Sequence, residues 1–332
     1  MASTGEGERE LSQTRPAVRR VRAGAAGSRR ATAKNASKRS TVRAAGLSGT
    51  VLVVFAVLVI VLVSVTGKKA PTAAPNGSSR LGMQPAPASV TTAIRHVPPS
   101  AFAEAGSTIT SFGPYTGSIT VLRGQPSLTL DGKPLIAYVG SNWCLYCAAT
   151  RWPLAIALSR FGSFKRLHIT ASGEIDPGIA TLSFYGSTYT SPYIAFLPTE
   201  QCTDIQSSST SPAVEDCNGY EPLQPLSPTA HKIFLKYDFP PYVSSTYEGG
   251  IPFINFANEI IENGAFMDPS ILAGFTHAQI ARSLGSPAVS PAHTILVAAN
   301  YYTAAICKLT SNEPSSVCQM PVLKQATRQL QL

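Results

Sequence analysis

Charged residues are scarce in this sequence, and those present are unevenly distributed. Asp, Glu, Lys and Arg make up 14% of the 332 residues, whereas apolar residues make up 44%. That much apolar material excludes a wholly disordered chain. The first 46 residues contain eleven Lys and Arg against three Glu, a net charge of +8, which leaves +1 for the rest. Because a nucleic-acid-binding domain needs a basic face, we expect no nucleic-acid partner.

Histidine and methionine are also scarce, with five and four residues. His168, His231 and His277 are scattered along the chain, and no His or Met cluster adjoins a cysteine pair. A structural zinc site needs about four ligands, usually from two Cys-x-x-Cys pairs, and this sequence has one such pair. We therefore expect no metal, and no cofactor other than a redox-active disulfide.

One long apolar run predicts a membrane anchor. Residues 47–66 are uncharged, and a run of about 20 such residues can span a bilayer. The basic arm, residues 1–46, then predicts a cytoplasmic N-terminus, because positive charge stays inside. We expect this arm to be disordered and to contact anionic membrane lipid. A cleaved signal peptide is the alternative, which the long arm and the lack of a small-x-small site disfavour.

The remainder of the chain predicts a stalk and one extracytoplasmic domain. Residues 67–98 are rich in Pro, Ala, Ser, Thr and Gly, a composition typical of an extended stalk. Over residues 99–332, short apolar runs alternate with helical periodicity, which predicts an α/β domain. Within it, a Ser/Pro-rich insertion is predicted at about residues 200–230 and a continuous helix at residues 269–284.

A single Cys-x-x-Cys motif is the most informative feature of the sequence. It follows an apolar run, Leu135–Val139, typical of a buried strand, and it opens a helical pattern over residues 145–161. Unpaired backbone N–H groups at a helix N-terminus stabilise a thiolate, which is the form that attacks disulfides. The motif consists of Trp143, Cys144, Leu145, Tyr146 and Cys147.

The spacing of the two cysteines suggests their roles. Residues three apart in a helix lie side by side, so Cys147 could resolve a mixed disulfide formed by Cys144. We assign Cys144 as the attacking nucleophile and Cys147 as the resolving thiol, with Trp143 shielding the site. The alternative is a static structural disulfide, although so short a loop restrains the unfolded chain little.

The motif and its setting resemble the thioredoxin superfamily. That resemblance implies a thioredoxin-like sandwich, with a cis-proline before a strand and against the cysteines. Pro252, preceded by Ile251, matches that proline by position. Thioredoxins also carry a buried acidic residue six positions before the first cysteine, where this sequence has Tyr138. A proton-relay carboxylate is therefore not evident there. The dipeptide Leu145-Tyr146 differs from the Gly-Pro of thioredoxin and the Pro-His of periplasmic oxidases, so the direction of electron flow stays open.

Longer segments are similar to an uncharacterised family of membrane-anchored thioredoxin-like proteins. It is known only as domain of unknown function family 929, so the resemblance implies a fold but no established activity. The segments that carry it are Cys144–Gly162, Thr181–Tyr193, Ala299–Thr310 and Val317-Cys318.

Four further cysteines follow the motif. Cys202 and Cys217 flank the predicted insertion, and Cys307 and Cys318 bracket a turn after the last strong helical pattern. Structural disulfides closing these two loops are the favoured interpretation, with electron transfer to Cys144 and Cys147 as the alternative. Sequence alone does not choose among the pairings. An even number of cysteines, all beyond the apolar run, fits an oxidising compartment.

Together these patterns predict a thiol–disulfide oxidoreductase at the outer face of a membrane. Its expected partners are exported cysteine-containing proteins and a membrane redox protein that resets the cysteine pair. The alternative is a non-catalytic scaffold or binding module that retains the fold, because a fold alone does not fix a function.

Overall fold

The computed structural model of the chain describes residues 82–108, 118–175, 178–288 and 291–332. Both the basic arm and the predicted membrane segment, residues 47–66, lie outside these ranges. Within them, no helix has the length and apolar character needed to cross a membrane.

The described residues form a mixed α/β structure. Its strands are β1 Gln84–Pro85, β2 Ser118–Val121, β3 Thr129–Leu130, β4 Lys133–Gly140, β5 Ser163–Lys165, β6 His168–Ala171, β7 Ala180–Ser183, β8 Thr188–Thr190, β9 Ala195–Glu200, β10 Cys202–Gln206, β11 Tyr220–Pro222, β12 Phe253–Phe256 and β13 Ile260–Asn263.

Helices separate many of these strands. They are α1 Ala88–Arg95, α2 Pro99–Ala105, α3 Leu145–Ser159, α4 Pro212–Glu215, α5 Pro228–Tyr237, α6 His277–Ser283, α7 Ala292–Leu309, α8 Ser315–Cys318 and α9 Pro321–Leu330, with a 3-10 helix at Pro269–Leu272.

The central sheet is built around β4. Strands run in the order β2, β13, β12, β4, and β9 pairs with the other edge of β4. The β4–β9 pair is parallel, whereas β12 and β13 are antiparallel to their neighbours. In a smaller three-stranded sheet, β6 pairs with β1 on one side and β7 on the other, and two further sheets pair β5 with β8 and β10 with β11.

Two hydrophobic layers cover opposite faces of this sheet. Successive side chains of a strand point to opposite faces, and Ile136 and Tyr138 pack into the larger layer, with α3 and α7. Their neighbours Leu135, Ala137 and Val139 pack into the smaller one, with α5. Strand β4 is therefore buried on both sides, as its continuous apolar run predicts.

Helix α3 lies at the centre of the larger layer. Most of its residues are buried, and it contacts α1, α7 and β7. A helix that is apolar on every side must be enclosed by other elements. The residues that follow Cys144 are consequently packed between α1, α7 and β7.

Three sequence predictions need correction. The folded part begins before residue 99, because β1 pairs with β6 and the buried side chains of α1 enter the core, so residues 82–98 are not an extended stalk. The predicted insertion is not one irregular loop, since it contains β10, α4 and β11. The helix predicted at 269–284 is divided, because Gly274 adopts a left-handed φ of 78° and Thr276 starts α6 with a capping box.

A buried carboxyl group lies within the larger layer. Glu262, in the middle of β13, is fully enclosed and accepts a 2.8 Å hydrogen bond from the Tyr302 hydroxyl. Burial raises the pKa of Glu262 to about 8, while the hydrogen bond from Tyr302 acts in the opposite direction. The carboxyl group is therefore mostly protonated at neutral pH in the folded protein.

This group should make stability depend on pH. Between the unfolded pKa of about 4.3 and the folded value of about 8, the folded state holds a proton that the unfolded state releases. The contribution of Glu262 is thus complete below the lower value and is lost as pH rises to the higher one. Between these two pH values, the unfolding free energy of the wild-type chain should fall as pH rises. We expect Glu262→Gln to make that slope shallower by about 1.4 kcal/mol per pH unit, as measured by urea denaturation.

The exposed Glu104 of α2 provides the control, and Glu104→Gln should leave the slope unchanged. Equal slopes for the wild-type chain and Glu262→Gln would show that Glu262 does not hold this proton.

Candidate functional site

The two parallel strands end side by side at the site. Gly140, the last residue of β4, pairs with Glu200, the last residue of β9. A short loop follows β4 and leads into α3, while β10 follows β9. The backbone N–H of Asn142 in that loop donates to the Cys202 carbonyl at 2.9 Å. This places the Cys-x-x-Cys segment next to the start of the hairpin formed by β10 and β11.

Cys144 caps the N-terminus of α3. Its Sγ accepts a hydrogen bond from the backbone N–H of Cys147 at 3.2 Å, as a capping group does. The same Sγ lies 3.8 Å from the Ile251 carbonyl oxygen. Both cysteines are free thiols, and their exposed fractions are 3% for Cys144 and 0% for Cys147.

Cys147 is held as a neutral thiol. Burial raises its pKa well above the usual value, the neighbouring Cys144 raises it further, and the Arg151 guanidinium acts in the opposite direction. A thiol that keeps its proton is a poor nucleophile. Cys147 is therefore the less reactive thiol while it stays enclosed and protonated.

A buried ion pair lies beneath the cysteines. Arg151, one helical turn after Cys147, donates from Nε to Glu200 Oε1 at 2.8 Å and from a terminal nitrogen to Oε2 at 2.6 Å. The same terminal nitrogen donates to the Ser141 carbonyl at 2.6 Å. Both side chains are fully buried. Arg151 therefore joins helix α3, strand β9 and the loop before Cys144.

Tyr138 lies six residues before Cys144, in strand β4. It is fully buried, and burial raises its pKa well above the usual value. Its hydroxyl has no hydrogen-bond partner among the described residues. At this position the side chain is a neutral phenol. The buried carboxylate of Glu200 lies nearby, but it is paired with Arg151.

A second carboxylate meets the start of α3. Glu174 Oε2 accepts a 2.6 Å hydrogen bond from the backbone N–H of Leu145. Loss of solvent around this carboxyl raises the pKa of Glu174, and the bond from Leu145 acts in the opposite direction. Glu174 and the Cys144 sulfur thus accept the N–H groups of Leu145 and Cys147, respectively, in the first turn of one helix.

Trp143 connects the motif to the hairpin. Its ring stacks on Tyr220 with centroids 5.5 Å apart and planes inclined by 5°. The Tyr220 hydroxyl donates to the Gly173 carbonyl at 2.7 Å, and Gly173 N–H donates to the Trp143 carbonyl at 2.8 Å. The Cys202–Cys217 disulfide belongs to the same cluster. A disulfide-closed hairpin therefore covers one side of the motif.

The remaining predicted site residues contribute to core packing, to the backbone turn before β12 and to the second disulfide. Leu145 and Tyr146 are half-buried and pack on the larger layer. The Ile251–Pro252 peptide bond is cis, and the Pro252 carbonyl accepts from Gly264 N–H at 2.8 Å. The second disulfide joins Cys307 of α7 to Cys318 of α8. Both disulfides are the pairs that the loop interpretation favours.

Sequence reasoning missed four residues of the site. Arg151 carried a usable signal, because an arginine one turn after Cys147 interrupts an otherwise apolar helix. Glu200 carried a weaker one at the end of a strand. Glu174 and Tyr220 are brought to the motif only by tertiary structure. In the part of the chain that the structure describes, no group of three or more His, Cys, Asp or Glu side chains could hold a metal ion.

The arrangement defines a class of site, a buried dithiol at the start of a helix in a mixed α/β domain. The family model described as a domain of unknown function, DUF929, matches residues 124–308. The chain belongs to this family. No curated protein and no solved structure matches it.

Breaking the buried ion pair should destabilise the fold. Arg151→Met leaves the Glu200 carboxylate buried without its cation, and removal of one partner of such a pair costs about 3–5 kcal/mol. The double variant Arg151→Met/Glu200→Met removes both charges, so we expect it to recover most of that loss in urea denaturation. Arg123→Met, at an exposed position, is the control and should change stability little.

A double variant as unstable as the sum of the two single variants would contradict this account. It would mean that packing of the two long side chains, rather than their charge compensation, holds this region together.

Proposed function

We propose that this protein is a thiol–disulfide oxidoreductase that acts on exported proteins. One observation carries the proposal: the free thiol of Cys144 caps the N-terminus of α3 and accepts the backbone N–H of Cys147. Helix N-termini stabilise anions, and this one would stabilise a thiolate at Cys144. The second thiol lies one turn away, where it can resolve a mixed disulfide.

We further propose that the fold is thioredoxin-like. Support comes from the order of elements, in which the buried strand β4 leads into the cysteine motif and then into α3. The parallel neighbour β9 and the antiparallel pair of β12 and β13 fit the same architecture. The segment before β12 brings the Ile251 carbonyl to Cys144, where such a fold would place it.

The first proposed step is attack by the Cys144 thiolate on a client disulfide. A bond forms between Cys144 Sγ and one client sulfur, and the client S–S bond breaks. The other client sulfur leaves with the electron pair and takes a proton from solvent.

Resolution by Cys147 completes the cycle. Its thiol loses a proton and attacks Cys144 Sγ, so that the Cys144–Cys147 disulfide forms and the second client sulfur leaves as a thiol. The client gains two electrons and the protein is oxidised; with an oxidised protein the same steps run in reverse. A membrane redox partner would reset the pair, and no cofactor is needed.

Substitution of each cysteine should separate the two steps. Cys144→Ser should reduce exchange with a disulfide-bonded reporter protein to the uncatalysed rate, since a serine hydroxyl forms no disulfide. Cys147→Ser should instead accumulate a mixed disulfide between Cys144 and the reporter, visible as a larger species on a non-reducing gel.

The matched control removes the disulfide that joins α7 to α8. Cys307→Ser/Cys318→Ser should retain exchange, because neither sulfur takes part in the steps above. Full activity in Cys144→Ser would exclude the proposed role of this thiol.

We also propose that the chain is anchored in a membrane through residues 47–66, with the cysteine-bearing domain outside the cytoplasm. The uncharged run and the basic arm before it support this placement. The full chain should stay with membranes after alkaline extraction, and protease added to the outer face should digest the domain but spare the arm. A soluble chain starting shortly after residue 66 would favour signal cleavage instead.

A non-catalytic module is the second candidate, and one observation favours it. Cys144 and Cys147 are almost completely enclosed, whereas a sulfur that attacks a client must be accessible. Equilibration with glutathione distinguishes the two candidates. A reduction potential of about −120 to −270 mV matches known exchange proteins, whereas one below about −300 mV matches structural disulfides.

A further inference from the structure

An open cavity adjoins the cysteine motif. Its volume is about 390 Å³, enough for one or two side chains of a bound peptide. One wall comes from the loop after β6 and the other from the hairpin of β10 and β11. The lining residues are Glu174, Gln206, Ser207, Asn218, Gly219 and Tyr220.

Two of the lining residues connect the cavity to the motif. Glu174 accepts the Leu145 N–H, so its carboxylate lies at the residue that follows Cys144. Tyr220 stacks on Trp143, the residue that precedes Cys144. The cavity therefore lies beside both residues that flank Cys144 in the chain.

The charge of the cavity is negative and uncompensated. Glu174 is the charged residue among the six that line it. In the described ranges, the ion pair present is Arg151–Glu200, so Glu174 has no cationic partner there. Ionisation of Cys144 would add a second negative charge at the same helix N-terminus, since its Sγ accepts the Cys147 N–H.

We infer that this cavity is a client subsite for a basic side chain, lysine or arginine, close to the target cysteine. The cation would pair with Glu174, while the polar groups of Gln206, Ser207 and Asn218 would bond to the client backbone. The inference rests on the proposed thiol–disulfide exchange and names a preferred substrate class for it.

Peptides that differ only in the charge beside the cysteine test this subsite in the full-length protein with both thiols reduced. Each peptide contains one cysteine in a mixed disulfide with thionitrobenzoate, flanked on either side by lysine or acetyl-lysine, which has the same stem without the charge. Attack by Cys144 on the peptide sulfur releases coloured thionitrobenzoate thiolate. At low salt we expect kcat/KM to be about fivefold higher for lysine, the upper range for a partly exposed ion pair, and the preference to shrink at high salt.

Substitutions at Glu174 provide the decisive comparison, because they act on the ratio of rates. Glu174→Gln should bring the ratio for the lysine and acetyl-lysine peptides close to one, and Glu174→Lys should invert it. Glu221→Gln is the matched control, since this exposed carboxylate follows Tyr220 but does not line the cavity, and it should keep the preference.

The failures of the two proposals are distinguishable. Equal rates for both peptides, or a preference that survives in Glu174→Gln, would overturn the subsite while exchange itself stands. Release of thionitrobenzoate by Cys144→Ser at the wild-type rate would overturn the exchange proposal.

Discussion

The buried pair of Arg151 and Glu200 is the constraint on which the site depends. Two charges withdrawn from water are tolerated only when they are paired and further hydrogen-bonded, and here each added bond joins a different element. The guanidinium also reaches the Ser141 carbonyl, and the carboxylate also accepts the Phe184 N–H at 3.2 Å. The helix that starts at the motif, the sheet edge and the segment after β7 are thereby held in one arrangement.

That arrangement gives the two thiols different surroundings. Cys144 lies at the helix end, where its sulfur accepts the Cys147 N–H, whereas Cys147 lies inside the first turn, where burial raises the pKa of its thiol. Cys144 thus makes the capping contact at the helix terminus, while both sulfurs are almost completely enclosed.

The hairpin of β10 and β11 covers one side of the motif. Tyr220, the first residue of β11, stacks on Trp143, and the disulfide between Cys202 and Cys217 ties β10 to the loop just before Tyr220. The disulfide therefore restrains the segment that carries the aromatic stack beside Cys144.

Local sequence signals predicted the elements that they specify strongly. The apolar run at Leu135–Val139 and the helical pattern after Cys144 became β4 and α3, because burial on both faces leaves little freedom for either. The segment at 82–98 was misread because its Pro, Ala and Ser content concealed Val90 and Ile94, which are four residues apart and both buried in α1. Short strands such as β5 and β8 have no alternation to recognise and exist through their partners.

The positions of Glu174 and Tyr220 could not be predicted for a different reason. Glu174 lies in a connecting segment and Tyr220 begins the three-residue strand β11, and both reach the motif through long-range contacts, so no periodicity or spacing carries the information. Arg151 and Glu200 are intermediate cases. Their burial follows from the surrounding apolar residues, but their pairing follows from the parallel register of β4 and β9.

The family boundary has a practical consequence at the second disulfide. The matched region ends at residue 308, so it includes Cys307 and excludes Cys318, the partner to which Cys307 is bonded. A fragment cut at this boundary would contain five cysteines instead of six. Its unpaired Cys307 would offer a third thiol to every exchange reaction, and such a fragment would scramble or dimerise in ways that the intact chain does not.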